Sequence, residues 1–489
     1  MNTAWRIALY GAMVLLATLP RISQLDAFLS PDEFQWERNT QGFKAGLRAG
    51  DLAALYQQPH PGITTTWLAA LTIDSPDWGT RRLPIAITIV GLIILTTYLC
   101  NRLLGEPYGY SIGVLLSIDP LYVAHSRVLA MDALLGGFLI LSLVCVLLWQ
   151  KERHVKWLIW CGAACAAAIL SKMSGAVILP IVAAVIVSDF FGRPTLHRVI
   201  VKNIGIWLAA TLGAAVLLLP TIVTNFSAVW QGTKTFFGTE HFTQAVHALG
   251  PQWYPEALLL WSMPVTIGLL FLLPLVWRSN SAVRRTIVVT ALFGLVFFLA
   301  MQYSIKKGDR YLLPTFLAWD VLAAIAGSWL MVEALRTKKI WLSLFVVISC
   351  AGVIWQTFEL YRLHPHALAY RNPWFKQLAI GRTMGWGEGL ELAAHYLNQK
   401  PDAANLLVAA YYEGSFQYRF VGKITSAQRL AKESASEIGA DYVVLYRTMQ
   451  GRAPGRWETK VLRDYADQTP EHIITLNSEE YVWIYRVTR

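Results

Sequence analysis

Charge is scarce in this sequence. Asp, Glu, Lys and Arg make up only 15% of the 489 residues, while 55% are hydrophobic and 20 are Trp. A soluble domain carries about a quarter charged residues, so the composition excludes an ordinary soluble globular protein. Several runs approach or exceed the roughly 18 apolar residues needed to cross a bilayer. They do not alternate in short segments, which argues against a transmembrane barrel. Cysteine is scarce too. Cys100, Cys145, Cys161, Cys165 and Cys350 all fall in or beside apolar runs and none lies in the polar C-terminal part. Neither a disulfide framework nor a Cys-based metal site follows. There is no internal repeat and no low-complexity segment. The first apolar run has one early cation, Arg6, and no clear small-residue cleavage site after it, so it reads as a retained span.

What remains is an all-α polytopic bundle of roughly eleven transmembrane helices. The apolar runs lie near 5–25, 83–104, 108–123, 129–149, 157–170, 176–191, 204–223, 257–277, 286–303, 311–335 and 341–358. Two polar loops, 26–82 and 224–256, interrupt them. Within the first, 63–73 is apolar but too short to span and is expected at the interface. The formal net charge of +11 does not point to nucleic acid, because Lys and Arg sit mostly in short loops between spans. Basic loops follow spans 4, 6, 8 and 10, carrying for example Lys151 and Arg153, Arg193 and Arg198, Arg284 and Arg285, and Lys338 and Lys339. With the N-terminus in the cytoplasm, all four loops are cytoplasmic, as the positive-inside rule requires. Both long loops and everything after span 11 then face outward. Residues 1–360 are expected to form the membrane domain and 361–489 a small extracytoplasmic α/β domain. In the latter, 388–399 reads as a helix and 406–412, 442–446, 472–476 and 481–487 as strands.

The acidic run Ser30-Pro31-Asp32-Glu33 follows the first span directly. A charge packed against a membrane span is costly and usually has a task, although an acidic pair can also simply solvate a loop. Lys306, Lys307 and Arg310, with Tyr311, are unexpected beside a span on the outward side. They read as a bound-anion site, phosphate above all, or as cations snorkelling to lipid headgroups. Arg127 and Lys172 sit near outward span ends. Arg127 has a phosphate or carboxylate ligand or a structural pair with Asp132 as alternatives. Asp132 itself is expected to complement the dipole at the start of span 4. His60 is a metal ligand, a phosphate contact or a turn cap. Glu240-His241 is a weak metal pair that lacks a third ligand. Carboxylates and cations on one face suit transfer from a lipid-phosphate donor to a hydroxyl. A carboxylate takes the hydroxyl proton, and cations stabilise the departing phosphate.

At these residues the sequence resembles the bacterial membrane glycosyltransferases of the type C fold, the protein O-mannosyltransferase and aminoarabinose transferase superfamily. The matching pieces are Pro31-Asp32-Glu33, His60-Pro61-Gly62, Ser126-Arg127 with Met131-Asp132, Leu170-Ser171-Lys172, and the run from Lys307 to Pro314. Gly385-Trp386-Gly387-Glu388-Gly389 and Ala440-Asp441-Tyr442-Val443-Val444 are similar to the outer domain of some members. The resemblance implies an inverting transferase of the bacterial inner membrane that uses a polyprenyl-phosphate sugar and a protein, lipid or polysaccharide acceptor in the cell envelope. It implies Asp32 as the base with Glu33 beside it, and Arg127, Lys172, Lys307 and Arg310 toward the lipid phosphate. Some relatives bind a divalent metal near that phosphate, which would give His60, Glu240 or His241 a role. His60 stands where the family's Lys-Pro-Pro motif has Lys, and Gly62 stands in place of the motif's second Pro. Two rival classes remain, a transporter or flippase of lipid-linked sugars and an envelope scaffold. The former usually shows repeated halves and midplane charges, neither of which is evident here.

Overall fold

A computed structural model describes residues 3–57, 62–188, 197–235, 250–304, 307–379 and 385–488. Among the described residues, seven helices are long and apolar enough to cross a membrane. They are α1 (Thr3–Ile22), α4 (Trp78–Leu104), α7 (Asp132–Glu152), α10 (His197–Leu218), α16 (Ser281–Tyr303), α17 (Leu313–Thr337) and α18 (Ile340–Leu363). Between them lie shorter helices: α2 (Glu33–Ala49), α3 (Ile63–Ala70), α5 (Glu106–Ile118), α6 (Pro120–Ser126), α8 (Lys156–Ser171) and α9 (Ile178–Ser188). So do α11 (Thr221–Thr224), α12 (Phe226–Thr235), α13 (Trp253–Trp261), α14 (Pro264–Leu270) and α15 (Leu273–Val276).

The expected runs thus divide into two kinds. Seven are single long helices, and the others are short or broken for local reasons. The run expected over 108–123 stops at Asp119, which is extended, and restarts at Pro120. Its first piece has 13 residues, about 20 Å of helix against a hydrocarbon core of about 30 Å. The Asp119 carboxylate caps the second piece by accepting from the Tyr122 N–H at 2.6 Å. The run over 257–277 breaks at Ser262 and Met263, and Pro264 opens the next helix. Asn372, from the segment after α18, closes that break. Its backbone N–H donates to the Leu260 carbonyl at 2.7 Å and its side-chain amide to the Ser262 carbonyl at 2.8 Å. Freed carbonyls at membrane depth need such partners. The 63–73 stretch forms a short helix packed within the bundle. Most of α3 is buried against α2, α4 and α8, although Leu71 just beyond it is exposed.

Helices in lipid gain little from apolar burial and pack by close approach of small residues. The α8–α10 contact shows this at Gly162, where a Cβ would stand 2.7 Å from the Trp207 carbonyl oxygen and 2.8 Å from the Ala210 Cβ.

After α18 the chain forms α19 (Leu390–Asn398) and a five-stranded sheet: β1 (Leu407–Ala410), β2 (Lys423–Ser426), β3 (Tyr442–Tyr446), β4 (His472–Leu476) and β5 (Glu479–Arg486). The order is β2-β1-β3-β5-β4, with β1 parallel to β2 and β3, and β5 antiparallel to β3 and β4. The fully buried run Tyr442–Tyr446 makes β3 the central strand. β2 has no sequence signal because it is a four-residue edge strand, Lys-Ile-Thr-Ser, with no fully buried position.

Candidate active site

The C-terminal domain sits on one end of the bundle, and a cavity of about 270 Å³ lies where they meet. The bundle contributes Asp32, His125, Lys307 and Arg310, and the C-terminal part contributes Trp386 and Glu388, among others. The two sides are locked by a glycine strap. Gly387 has φ +103°, and a Cβ there would collide with the Leu29 carbonyl oxygen, one residue before Ser30-Pro31-Asp32. Only glycine meets both demands without strain.

Asp32 immediately precedes α2, and its side chain caps nothing. One oxygen, Oδ2, accepts from Arg310 Nη1 at 2.8 Å. The side chain is 43% exposed, so the carboxylate can reach a ligand. Arg310 in turn lies 4.3 Å from the Trp386 ring centre and 5.5 Å from that of Tyr311. This geometry fixes a guanidinium by cation–π contact. Lys307 borders the same cavity and donates to the carbonyls of Gln302 at 2.8 Å and Ser304 at 3.1 Å. An ammonium has three donor hydrogens.

Glu33 has a different environment. It is fully buried. It accepts from Arg82 Nε at 2.7 Å and Arg82 Nη2 at 2.5 Å, from the Ser30 N–H at 2.8 Å and from the Leu129 N–H at 2.7 Å. Four donors make it a strut that ties the 30–33 turn to α4 and to the 127–131 turn. The expected place beside Asp32 is correct in sequence but not in orientation.

Arg127 does not pair with Asp132. It donates to the carbonyls of Pro20 at 2.6 Å and Gln24 at 2.9 Å, at the end of α1. Asp132 instead accepts from Lys172 Nζ at 2.6 Å, in a buried pair at the first turn of α7. The Lys172 ammonium also lies 4.2 Å from the Tyr311 ring centre. Asp132, Lys172, Tyr311, Arg310 and Asp32 therefore form one contiguous chain of contacts. Lys306, His60, Glu240 and His241 lie outside the described residues. Among the described residues no group of three His, Cys, Asp or Glu side chains is placed to hold a metal ion.

Two cavity residues were not singled out as site candidates. His125, at the last turn of α6, is buried. Glu388 is also buried, and burial raises its carboxyl to about 7 against the opposing pull of the Trp386 N–H and Arg371, with nearby Asp309 adding to the rise. The break at Asp119-Pro120, which starts the short helix carrying His125, has no signal in the apolar pattern. Glu388 was visible only as part of the Gly-Trp-Gly-Glu-Gly run.

The comparisons agree with this architecture. A family model described as dolichyl-phosphate-mannose-protein mannosyltransferase matches residues 59–224. The crystal structure of ArnT from Cupriavidus metallidurans in the apo state superposes with a TM-score of 0.56 at 13% identity, covering 99% of this chain and 98% of that one. The chain has the type C glycosyltransferase fold. The same ArnT bound to undecaprenyl phosphate matches with a TM-score of 0.52 at 14% identity, over 99% of this chain and 98% of that one. No curated protein sequence matches. The type C fold covers both the helical bundle and the C-terminal sheet domain, so the resemblance read from the short motifs extends over the whole chain.

Proposed function

We propose that this protein is a membrane glycosyltransferase that moves one sugar from a polyprenyl-phosphate donor to an acceptor hydroxyl in the cavity beneath the C-terminal domain. The observation that carries this reading is the convergence of Asp32 with Arg310, 278 residues later, and its near neighbour Lys307 on one cavity. Asp32 is the general base, held by Arg310 through one oxygen so that the other can meet the acceptor hydroxyl. The acceptor oxygen attacks the anomeric carbon and its proton passes to Asp32. The bond from that carbon to the phosphate oxygen breaks, and its electron pair leaves on the phosphate. A single displacement inverts the anomeric centre. Arg310 and Lys307 supply positive charge where the leaving phosphate gains negative charge. Lys172 acts one step back by holding Tyr311 and the Asp132 pair behind Arg310. Arg127 and Glu33 fix the two turns that flank the site.

The four basic loops support a cavity on the extracytoplasmic side of a bacterial inner membrane, with the N-terminus in the cytoplasm. The relative bound to undecaprenyl phosphate supports a polyprenyl-phosphate donor. The acceptor is an alcohol of a protein, lipid or polysaccharide. Incubating purified protein in detergent with polyprenyl-phosphate sugars and cell-envelope extract tests this. Donor consumption with transfer of the sugar to an envelope component is expected. Passage of intact donor across proteoliposomes without consumption would establish a flippase instead.

A further inference from the structure

The proposed chemistry uses Asp32, Arg310 and Lys307. The same cavity is bordered by two buried polar groups that it leaves idle. His125 and Glu388 both border the cavity and are only 1% and 0% exposed. Neither ring nitrogen of His125 has a hydrogen-bond partner among the described residues, and neither does Glu388 Oε1. The two are joined through Trp386. Its ring centre is 5.4 Å from that of His125, and its backbone N–H donates to Glu388 Oε2 at 2.7 Å. Buried polar atoms in native proteins are nearly always hydrogen-bonded. Three unpartnered ones around one cavity point to a ligand that completes them.

We propose that His125 and Glu388 form a hydroxyl-binding subsite, which reads the alcohol groups of the transferred sugar or of the acceptor. This rests on the transferase reading above and adds a specificity role to it. The charge pattern selects the class. A phosphate is disfavoured here, because it would lie beside the Glu388 carboxyl. Phosphate instead belongs at Arg310 and Lys307. A cation is disfavoured because Arg310, Lys307 and Arg452 border the same space. A hydroxyl fits, since it can donate to Glu388 Oε1 or the bare ring nitrogen and accept from the ring N–H. A subsite of this kind rejects analogues that lack the hydroxyl, because its own buried groups are then left unpaired. The glycine strap that carries Glu388 would make the C-terminal domain part of substrate selection.

The test uses full-length protein in detergent, as parent, Glu388→Gln and His125→Phe. Affinity is measured for undecaprenyl phosphate bearing mannose, glucose or aminoarabinose, and for sugar-free undecaprenyl phosphate. If the sugar supplies the hydroxyls, each variant keeps its affinity for the sugar-free lipid and loses about tenfold or more for the preferred sugar-bearing lipid. If the acceptor supplies them, both lipid affinities hold and the acceptor KM rises about tenfold. Unchanged lipid affinities and acceptor KM in both variants would overturn the proposal. So would an equal loss for sugar-free and sugar-bearing lipid, which marks a phosphate or folding defect. Glu388→Gln is isosteric, and a cooperative melting transition retained in each variant excludes misfolding as the cause. A parent protein that neither prefers nor consumes any sugar-bearing lipid is a different result, and it would remove the transferase reading itself.

Discussion

Replacing Arg82 by Met tests whether Glu33 is a strut or part of the chemistry. The Glu33–Arg82 pair is buried on both sides, at 0% and 2% side-chain exposure. Arg82→Met removes two charge-assisted bonds to Glu33 and leaves its carboxylate with only the Ser30 and Leu129 N–H donors. It also strips the Phe28 carbonyl of a donor at 2.7 Å, and the Leu25 carbonyl of another. Removing one partner of a buried pair costs about 3–5 kcal/mol, far more than replacing both with apolar residues. Glu33→Met with Arg82→Met should therefore be less destabilised than the sum of the single variants, by about 2–3 kcal/mol. Equilibrium unfolding in mixed micelles measures the cycle, with transfer activity assayed in parallel. Additive effects, or Arg82→Met as stable as the parent, would refute the argument. Glu33→Gln that retains full stability yet loses transfer would place Glu33 in the reaction.

Gly387→Ala should destabilise the protein by about 1–3 kcal/mol, because the residue adopts positive φ against the Leu29 carbonyl; thermal melting and limited proteolysis of the C-terminal domain report it. Lys307→Met should weaken undecaprenyl phosphate binding about tenfold while leaving the fold intact, since one of the two proposed phosphate cations is lost; isothermal titration checks it. Glu388 has its carboxyl raised from 4.5 to about 7 in the folded chain. Its unfolded form therefore binds fewer protons between those values, and its contribution is fully present below pH 4.5 and lost as pH rises through 7, up to about 3 kcal/mol. Melting temperature followed from pH 5 to 8 should fall more steeply in the parent than in Glu388→Gln, and parallel slopes would contradict this.

The fold was legible where the signal was long. Seven apolar runs became single helices, and the buried strand Tyr442–Tyr446 was visible as five apolar residues. The broken spans were not, because apolar composition is blind to the Asp119-Pro120 and Met263-Pro264 junctions that interrupt the helix. Nor was β2, whose four mixed residues sit at an exposed edge. At the site, sequence order alone put Asp32 and Arg310 on one face, and they meet at 2.8 Å. It could not say that Glu33, one residue on, points the opposite way into Arg82. Successive residues in a helical turn are separated by about 100° around the axis, so adjacency does not mean a shared environment. Nor could it distinguish an arginine that binds an anion from one that caps carbonyls, as Arg127 does. His125 and Glu388 are brought together by a strap some 260 residues downstream, and no local pattern encodes that.

Single-turnover transfer by Asp32→Asn tests the central claim most directly. The substitution keeps the size of the side chain and removes its ability to take a proton. The account predicts that this variant folds, binds undecaprenyl-phosphate sugars with near-parent affinity, and transfers at least about a hundredfold more slowly. Transfer at the parent rate by a folded Asp32→Asn protein would contradict it.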